Sequence, residues 1–292
     1  MNGLPFSIKQ IDMTKKINWI ILSDPLDSPP HRGGPLILHY ISKKLLESGD
    51  KVYMNHPFYD GCEQLTGDFL KTLNPKEWVL IATENDFRLH NFNFKTVRLI
   101  LFTGENMEKY KSDELIFQYG KSFTIGTKFE NSPSIRPIVT NLSFWKDLGC
   151  QRVETPLILL KKGDISKEHK VIEGKLMDEV INMNDTREAI DFELLKLFNT
   201  HKTFITYDNN TFHSVQAALC GAISIVIPDG TLSEQEWRRS KKREYGIAYG
   251  NSEEQINFAL NTVDNLKKTT EEQLIKSQEE IYFFRERVLL NF

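Results

Sequence analysis

The hydrophobic positions of the chain fall in short runs separated by helical patterns. Ile17–Leu22 is an unbroken apolar run and reads as a buried strand. Residues 35–48 then place Leu36, Tyr40, Ile41 and Leu45 on one helical face. Gly49-Asp50 closes that helix, and Lys51–Met54 starts the next strand. Trp78–Ala82 and Val97–Phe102 are further strands of continuous apolar character. Runs of this kind suit a parallel sheet covered on both faces. Their alternation with helices predicts right-handed βαβ units in an open, doubly wound sheet.

The pattern weakens between Tyr110 and Arg152 and then begins afresh. Leu157–Leu160, Thr203–Thr206 and Ala222–Ile227 read as strands, Asp185–Phe198 and Thr211–Cys220 as helices. Ser252–Leu266 is another helix. A last one from Thr270 has a capping-box pattern, Thr269 with Glu272, and a stripe of Leu274, Ile281, Phe284 and Val288. No repeat and no low-complexity tract interrupts the order. The expectation is two Rossmann-like α/β domains, over 1–150 and 151–268, joined near residues 140–156, with a terminal helix over 269–292. Ligands of such sheets lie at the carboxyl ends of the strands, so a cleft between the halves is the expected site.

Composition narrows the classes. The 292 residues are long for one compact domain and comfortable for two of roughly 130–150 each. A net charge of −3 offers no basic field for a nucleic acid backbone. No run reaches the roughly 18 apolar residues of a membrane span, and Ile17–Leu22 is cut off by Asp24 and Pro25. Cys62, Cys150 and Cys220 are odd in number and widely spread, without metal-ligand spacing, which fits a reducing cytoplasm. No GxxxxGK[ST], His-Glu-x-x-His or Gly-x-Ser-x-Gly occurs, and no Gly-x-Gly-x-x-Gly follows the first strand. An Asp-x-Asp after a strand is also missing, so no metal and no resident cofactor is expected.

The richest segment is residues 204–230, FITYDNNTFHSVQAALCGAISIVIPDG. A strand ends at Tyr207-Asp208, Asn209 and Asn210 form a loop, and Thr211 opens a helix that Gly221 ends. A helix amino end at the strand's carboxyl end favours an anion, and the Thr211 hydroxyl can donate to a phosphate. Asp208 and Thr211 also read as an ordinary Asx/ST turn capping the helix, which is compatible with ligand binding. Cys220 reads as a small buried residue and not a nucleophile.

This segment resembles the donor motif of GT-B glycosyltransferases, Glu-x7-Glu followed by small residues and Gly. Asp208 stands at the first acid and Gln216 at the second, with Ala217, Ala218, Leu219, Cys220 and Gly221 following. The longer string YDNNTFHSVQAALCG, SIVIPDG, EW, YGIAYG is similar to bacterial lipopolysaccharide-core and surface-polysaccharide transferases, over roughly the last 100 residues. The resemblance implies a metal-independent GT-B enzyme of two Rossmann-like domains facing a central cleft. Its partners would be a nucleotide diphosphate sugar as co-substrate and a glycan or lipid-linked glycan acceptor. Peripheral contact with a membrane is compatible with this.

The resemblance also implies roles. Asp208 would face the donor sugar, the loop amides the diphosphate, and Gln216 the ribose. An amide at Gln216 departs from the motif and lacks charge assistance. Lys161 and Lys162, at the end of a strand, and Arg238 are candidate neutralisers of the diphosphate. Trp237 is a candidate stacking ring or a core aromatic. On the acceptor side, Gly33-Gly34 before the first helix and Ser48-Gly49-Asp50 before the second strand resemble the opening of GT-B enzymes, and Arg32, Gly33 and Gly34 form the candidate acceptor-side loop. Asp27 and His31 on that loop are candidate bases, or solvated loop residues. Glu84, Asn85 and Asp86 follow a strand and read as a turn. Two other readings stay open: a non-catalytic GT-B-like protein that binds nucleotide sugar or glycan, and an unrelated Rossmann-type protein.

Overall fold

The computed structural model describes residues 14–25, 33–101, 106–119, 124, 126–160, 174–177, 181, 187–240 and 243–292. The chain forms two compact units. Among the described residues, one takes those up to Val139 together with Lys276–Phe292, and the other takes those of Thr140–Ile275. Asp27, His31, Arg32, Lys161 and Lys162 lie outside the described residues.

The first unit is a six-stranded parallel sheet. Its elements run β1 (Asn18–Ile21), α1 (Gly33–Glu47), β2 (Lys51–Met54), β3 (Glu63–Gln64), α2 (Gly67–Thr72), β4 (Trp78–Thr83), β5 (Lys95–Ile100) and β6 (Leu115–Gln118). The order is β3-β2-β1-β4-β5-β6, the order of dinucleotide-binding sheets, with a switch point between β1 and β4. Alternation along β1 shows why both faces must be covered. Trp19 and Ile21 pack with Ile37, Ile41 and Leu45 of α1, whereas Ile20 and Leu22 pack with Tyr53, Trp78 and Leu80. Helix α1 begins at Gly33, two residues before the predicted start, and Pro35 sits in its first turn, where a missing N–H costs nothing.

The second unit runs β7 (Leu157–Leu159), β8 (Lys175–Leu176), α3 (Arg187–Thr200), β9 (Thr203–Thr206), α4 (His213–Leu219), β10 (Ile223–Val226), α5 (Glu234–Trp237) and β11 (Ile247–Tyr249). All its strands are parallel, in the order β11-β10-β9-β7-β8. Counted within the unit this is 2-1-3-4-5, the other common doubly wound order, with its switch point between β7 and β9. Both units are thus compatible with Rossmann-like domains.

Helix α6 (Glu253–Asn291) runs unbroken for 39 residues, contributing to the second unit as far as Ile275 and to the first from Lys276. The predicted break at Thr269 is absent. Thr270 is buried, and its hydroxyl donates to the Leu266 carbonyl 2.8 Å away, so it is satisfied inside the helix and caps nothing. The last turns of α6 bring Ile281, Phe284 and Val288 into the core of the first unit. They are fixed there by charge. Arg285 Nε and Nη2 donate to the two oxygens of Asp50 at 2.8 and 2.7 Å, and Nη2 also reaches the Lys15 carbonyl at 2.6 Å. Asp50 accepts in addition from Trp19 Nε1 at 2.9 Å and from the Ile17 amide at 3.2 Å. Among the described residues no helix is long and apolar enough to cross a membrane.

Removing one member of this pair strands the other in the core. Asp50→Asn and Arg285→Met should each lower stability by about 3–5 kcal/mol, read by urea unfolding of tryptophan fluorescence. A loss under about 1 kcal/mol, the ordinary value of an exposed pair, would show that the pair does not anchor α6.

Candidate functional site

The candidate site lies at the carboxyl edge of the second sheet. Strand β9 pairs with β7 so that Leu159 stands beside Thr206, and the Tyr207 amide donates to the Leu159 carbonyl at 3.2 Å. Tyr207 is buried, and the chain leaves the sheet at Asp208, at the switch point.

The loop is tightly built. The Asp208 amide donates to Thr206 Oγ1 at 3.0 Å, and Asp208 Oδ1 accepts from the Asn210 amide at 2.9 Å, an Asx turn. Thr211 Oγ1 accepts from the His213 amide at 3.3 Å, and the Thr211 carbonyl accepts from Ser214 Oγ at 2.9 Å. So Asp208 and Thr211 make the turns that their residue types suggest, but the helix begins at His213 with Phe212 as its N-cap and no side-chain cap, two residues later than the expected start at Thr211. A carboxylate retains a second oxygen to accept from a ligand hydroxyl, and a hydroxyl that accepts one bond still has its proton to donate.

Trp237 closes the loop from below. It is fully buried, stacks on Tyr249 at 4.9 Å, and its Nε1 donates to the Asn209 carbonyl at 2.9 Å. It is therefore a core aromatic that fixes the loop and not an exposed stacking ring. Asn209 is itself buried, and its amide helps to hold the Asp229 carboxyl below the usual range, after the stronger hydrogen bond from the Thr231 hydroxyl.

The basic residues sort differently from the sequence expectation. Arg238 donates to Glu234 Oε1, to the carbonyls of Arg243 and Ile247, and to Gln255 Oε1, so its guanidinium is engaged in holding the unit together. Arg243 is the cation beside the loop. Its Nη2 donates to Asn210 Oδ1, and its guanidinium stands 5.5 Å from the Trp237 ring centroid. Burial lowers its pKa, with the Asp208 carboxylate acting in the opposite sense. Sequence reasoning missed Arg243 because it ends the run Lys241-Lys242-Arg243, which looks like solvated surface. Asp229 was also missed, although Pro228-Asp229-Gly230 after a strand was a readable turn signal.

Gln216 is buried on α4, with its Oε1 2.7 Å from His213 Nδ1. Cys220 follows on the same helix, and the Gly221 after it has a φ of +85°, which favours glycine. A Cβ at Gly221 would also run into the Asp147–Arg152 pair, whose Arg152 Nη2 donates to the Cys220 carbonyl at 2.6 Å. In the first unit, Gly33 opens α1, and Gly34 faces Leu101, 3.5 Å from where a Cβ would stand. Glu84 is buried and accepts from the Leu101 amide at 3.0 Å, so that turn has a structural carboxylate.

No family model matches the sequence, and no curated protein matches it. Among solved structures, a functionally uncharacterised protein from Klebsiella pneumoniae subsp. pneumoniae superposes with a TM-score of 0.41 at 12% identity, over 78% of this chain and 89% of its own. The glycosyltransferase SnogD from Streptomyces nogalater gives a TM-score of 0.38 at 11% identity, over 92% of this chain and 95% of its own. At these scores neither likeness assigns a function.

Burial pushes the Cys220 thiol up to about 12, against a smaller opposing effect of Arg152. A free thiol titrates near about 8.5. Below that pH the thiol is neutral in both states and stability is unaffected; as pH rises from about 8.5 towards 12, the unfolded state ionises first and stability is lost. At pH 8, iodoacetamide should modify exposed Cys150 and spare Cys220 until denaturant is added. Equal rates at the two would identify Cys220 as a reactive thiol after all.

Proposed function

We propose that the chain is a GT-B glycosyltransferase of polysaccharide or lipopolysaccharide biosynthesis. It would move a sugar from a nucleotide diphosphate sugar to a hydroxyl of a surface glycan, without a metal and in the cytoplasm. The observation that carries this reading is the position of Asp208–Thr211. The motif residues leave β9 at the switch point of a doubly wound sheet, where such sheets take their ligands.

In this reading the second carboxylate oxygen of Asp208 accepts a hydroxyl of the donor sugar. Arg243, beside Asn210, supplies the positive charge that the sequence had suggested for Arg238. Lys161 and Lys162 follow β7, the other strand of the switch point. Cations and amides fixed before the reaction stabilise the charge that develops on the departing diphosphate without reorganising. Asp27 or His31 takes the acceptor proton.

A second reading has an observation of its own. The Gln216 amide oxygen is already bonded to His213, which leaves the position of the motif's second acid turned to its own helix. A non-catalytic protein that binds nucleotide sugar or glycan fits this as well.

A thermal-shift screen against UDP, GDP, dTDP, ADP and CDP, with and without EDTA, tests both. A nucleotide at about 100 times its Kd stabilises the folded state by roughly 2.7 kcal/mol. One nucleotide should raise the melting temperature by several degrees, equally with EDTA, and Asp208→Ala should abolish the shift. No shift with any nucleotide sinks both readings. A shift that needs metal sinks the metal-independent mechanism. Binding without turnover of the matching nucleotide sugars favours the second reading.

A further inference from the structure

The last turns of α6 carry apolar residues on two faces. Ile281, Phe284 and Val288 join the core of the first unit, where they meet Ile37, Ile41 and Leu45 of α1. On the other side Tyr282, Phe283 and Leu290 are 56%, 37% and 45% exposed. With Glu279 and Glu286 they follow the spacing i, i+3, i+4, i+7 and i+11, so all five share one side of the helix. A surface helix ordinarily gives its solvent side to polar groups, and only scattered exposed apolar residues need no explanation. Two adjacent aromatic rings with a leucine two turns on make a patch, and aromatic rings dominate the energy of protein interfaces. The patch continues toward α1, where Lys44 lies within electrostatic reach of Tyr282 and its Nζ stands 5.6 Å from the Tyr40 ring centroid.

The charges on this side select the partner. Glu279 and Arg287 are both exposed, and among the described residues neither enters an ion pair. The Arg287 guanidinium lies 4.9 Å from the Phe283 ring centroid, so it borders the patch. An anionic membrane surface is a poor fit, because Glu279 and Glu286 stand where it would approach. A second copy of the same helix fits in one sense only. Laid parallel, it would set Glu279 against Glu279 and Glu286 against Glu286. Laid antiparallel with the two-fold axis at Phe283, each residue before Phe283 meets the one equally far after it. Glu279 of each copy then faces Arg287 of the other, and the two Phe283 rings meet on the axis. Residues 279–290 span only about 17 Å of helix, and a stable interface covers about 800 Å² on each partner, so the association is modest and depends on concentration.

We propose that the outer side of α6 is a homodimer interface, in which two copies of the chain pair antiparallel about Phe283 with reciprocal Glu279–Arg287 ion pairs. The proposal rests on the first unit alone and stands apart from nucleotide binding at the second.

Sedimentation velocity of the full chain, from micromolar to sub-millimolar concentration, tests it. The parent should move from monomer toward twice the monomer mass. Glu279→Arg sets two cations against each other, and Arg287→Glu two anions, so each should weaken the dimer about tenfold or more. The double variant restores opposite charges and should recover the parent's association. Phe283→Ser should abolish it. All four positions are exposed or lie at the surface of the helix, and a melting curve for each variant confirms that the fold is kept. A parent that stays monomeric, single variants that associate like the parent, or a double variant no better than the singles would each overturn the assignment. So would binding of a monomeric parent to anionic lipid vesicles that Phe283→Ser removes, which would give this face to a membrane.

Discussion

Asp50 is the point on which the first unit turns. A carboxylate buried among Trp19, Ile17 and the sheet would cost far more than it returns if left alone. Here each oxygen is met by two donors, one from the first strand region and one from Arg285, which also supplies the opposing charge. Burying the pair contributes little net stability compared with apolar residues of the same size. What it contributes is uniqueness. Only one rotation of α6 presents Arg285 to Asp50 while turning Ile281, Phe284 and Val288 onto the sheet. The hydrogen bonds from β1 to Asp50 tie that choice to the first strand and therefore to the switch point beside it.

The same device recurs with different partners. Arg98 joins the β4 turn to Glu114, between the rings of Phe87 and Tyr110. Arg152 joins the end of α3 to the end of α4 through the carbonyls of Phe198, His201 and Cys220. Arg238 joins α5 to β11 and to the first turn of α6. In each case a guanidinium reaches carbonyl groups that end a helix or leave a strand, where the backbone has no regular partner. Five fixed donors suit that task, and a lysine could not cover the same set. These side chains position the loops at the strand ends and are consumed in doing so, whereas Arg243 reaches the Asp208–Thr211 loop through Asn210.

The apolar pattern made the main sheets legible because both faces of a parallel sheet must be buried. Lys51–Met54 and Thr203–Thr206 appear as read, and β1, β4 and β10 lie within a residue of their expected limits. The edge strands escaped, including β6 and β11, whose few apolar residues fell where the pattern was weak. Glu63–Gln64 and Lys175–Leu176 are two residues each and carry no apolar run, since one side of an edge strand has no neighbour to pack against. The false break at Thr269 arose because a threonine followed by a glutamate three residues on reads as a cap, whereas a threonine inside a continuous helix looks the same in sequence. At the site, Asp208 and Thr211 were legible because turn chemistry is local. Arg243 was not, because its position depends on how α5 and the segment after it fold back to Asn210.

That difference bears on Gln216, the residue where the motif departs from its pattern. Had it been the usual acid, its side chain would need a cation or a ligand's hydroxyl groups to justify burial. As an amide it is satisfied by His213, one turn earlier on the same helix. A ligand that needs the Gln216 oxygen must either share it, which an oxygen with two lone pairs permits, or displace His213 at the cost of a buried hydrogen bond, about 1 kcal/mol. Sharing requires no movement of α4, so the amide keeps an acceptor at this position but without the charge of a carboxylate.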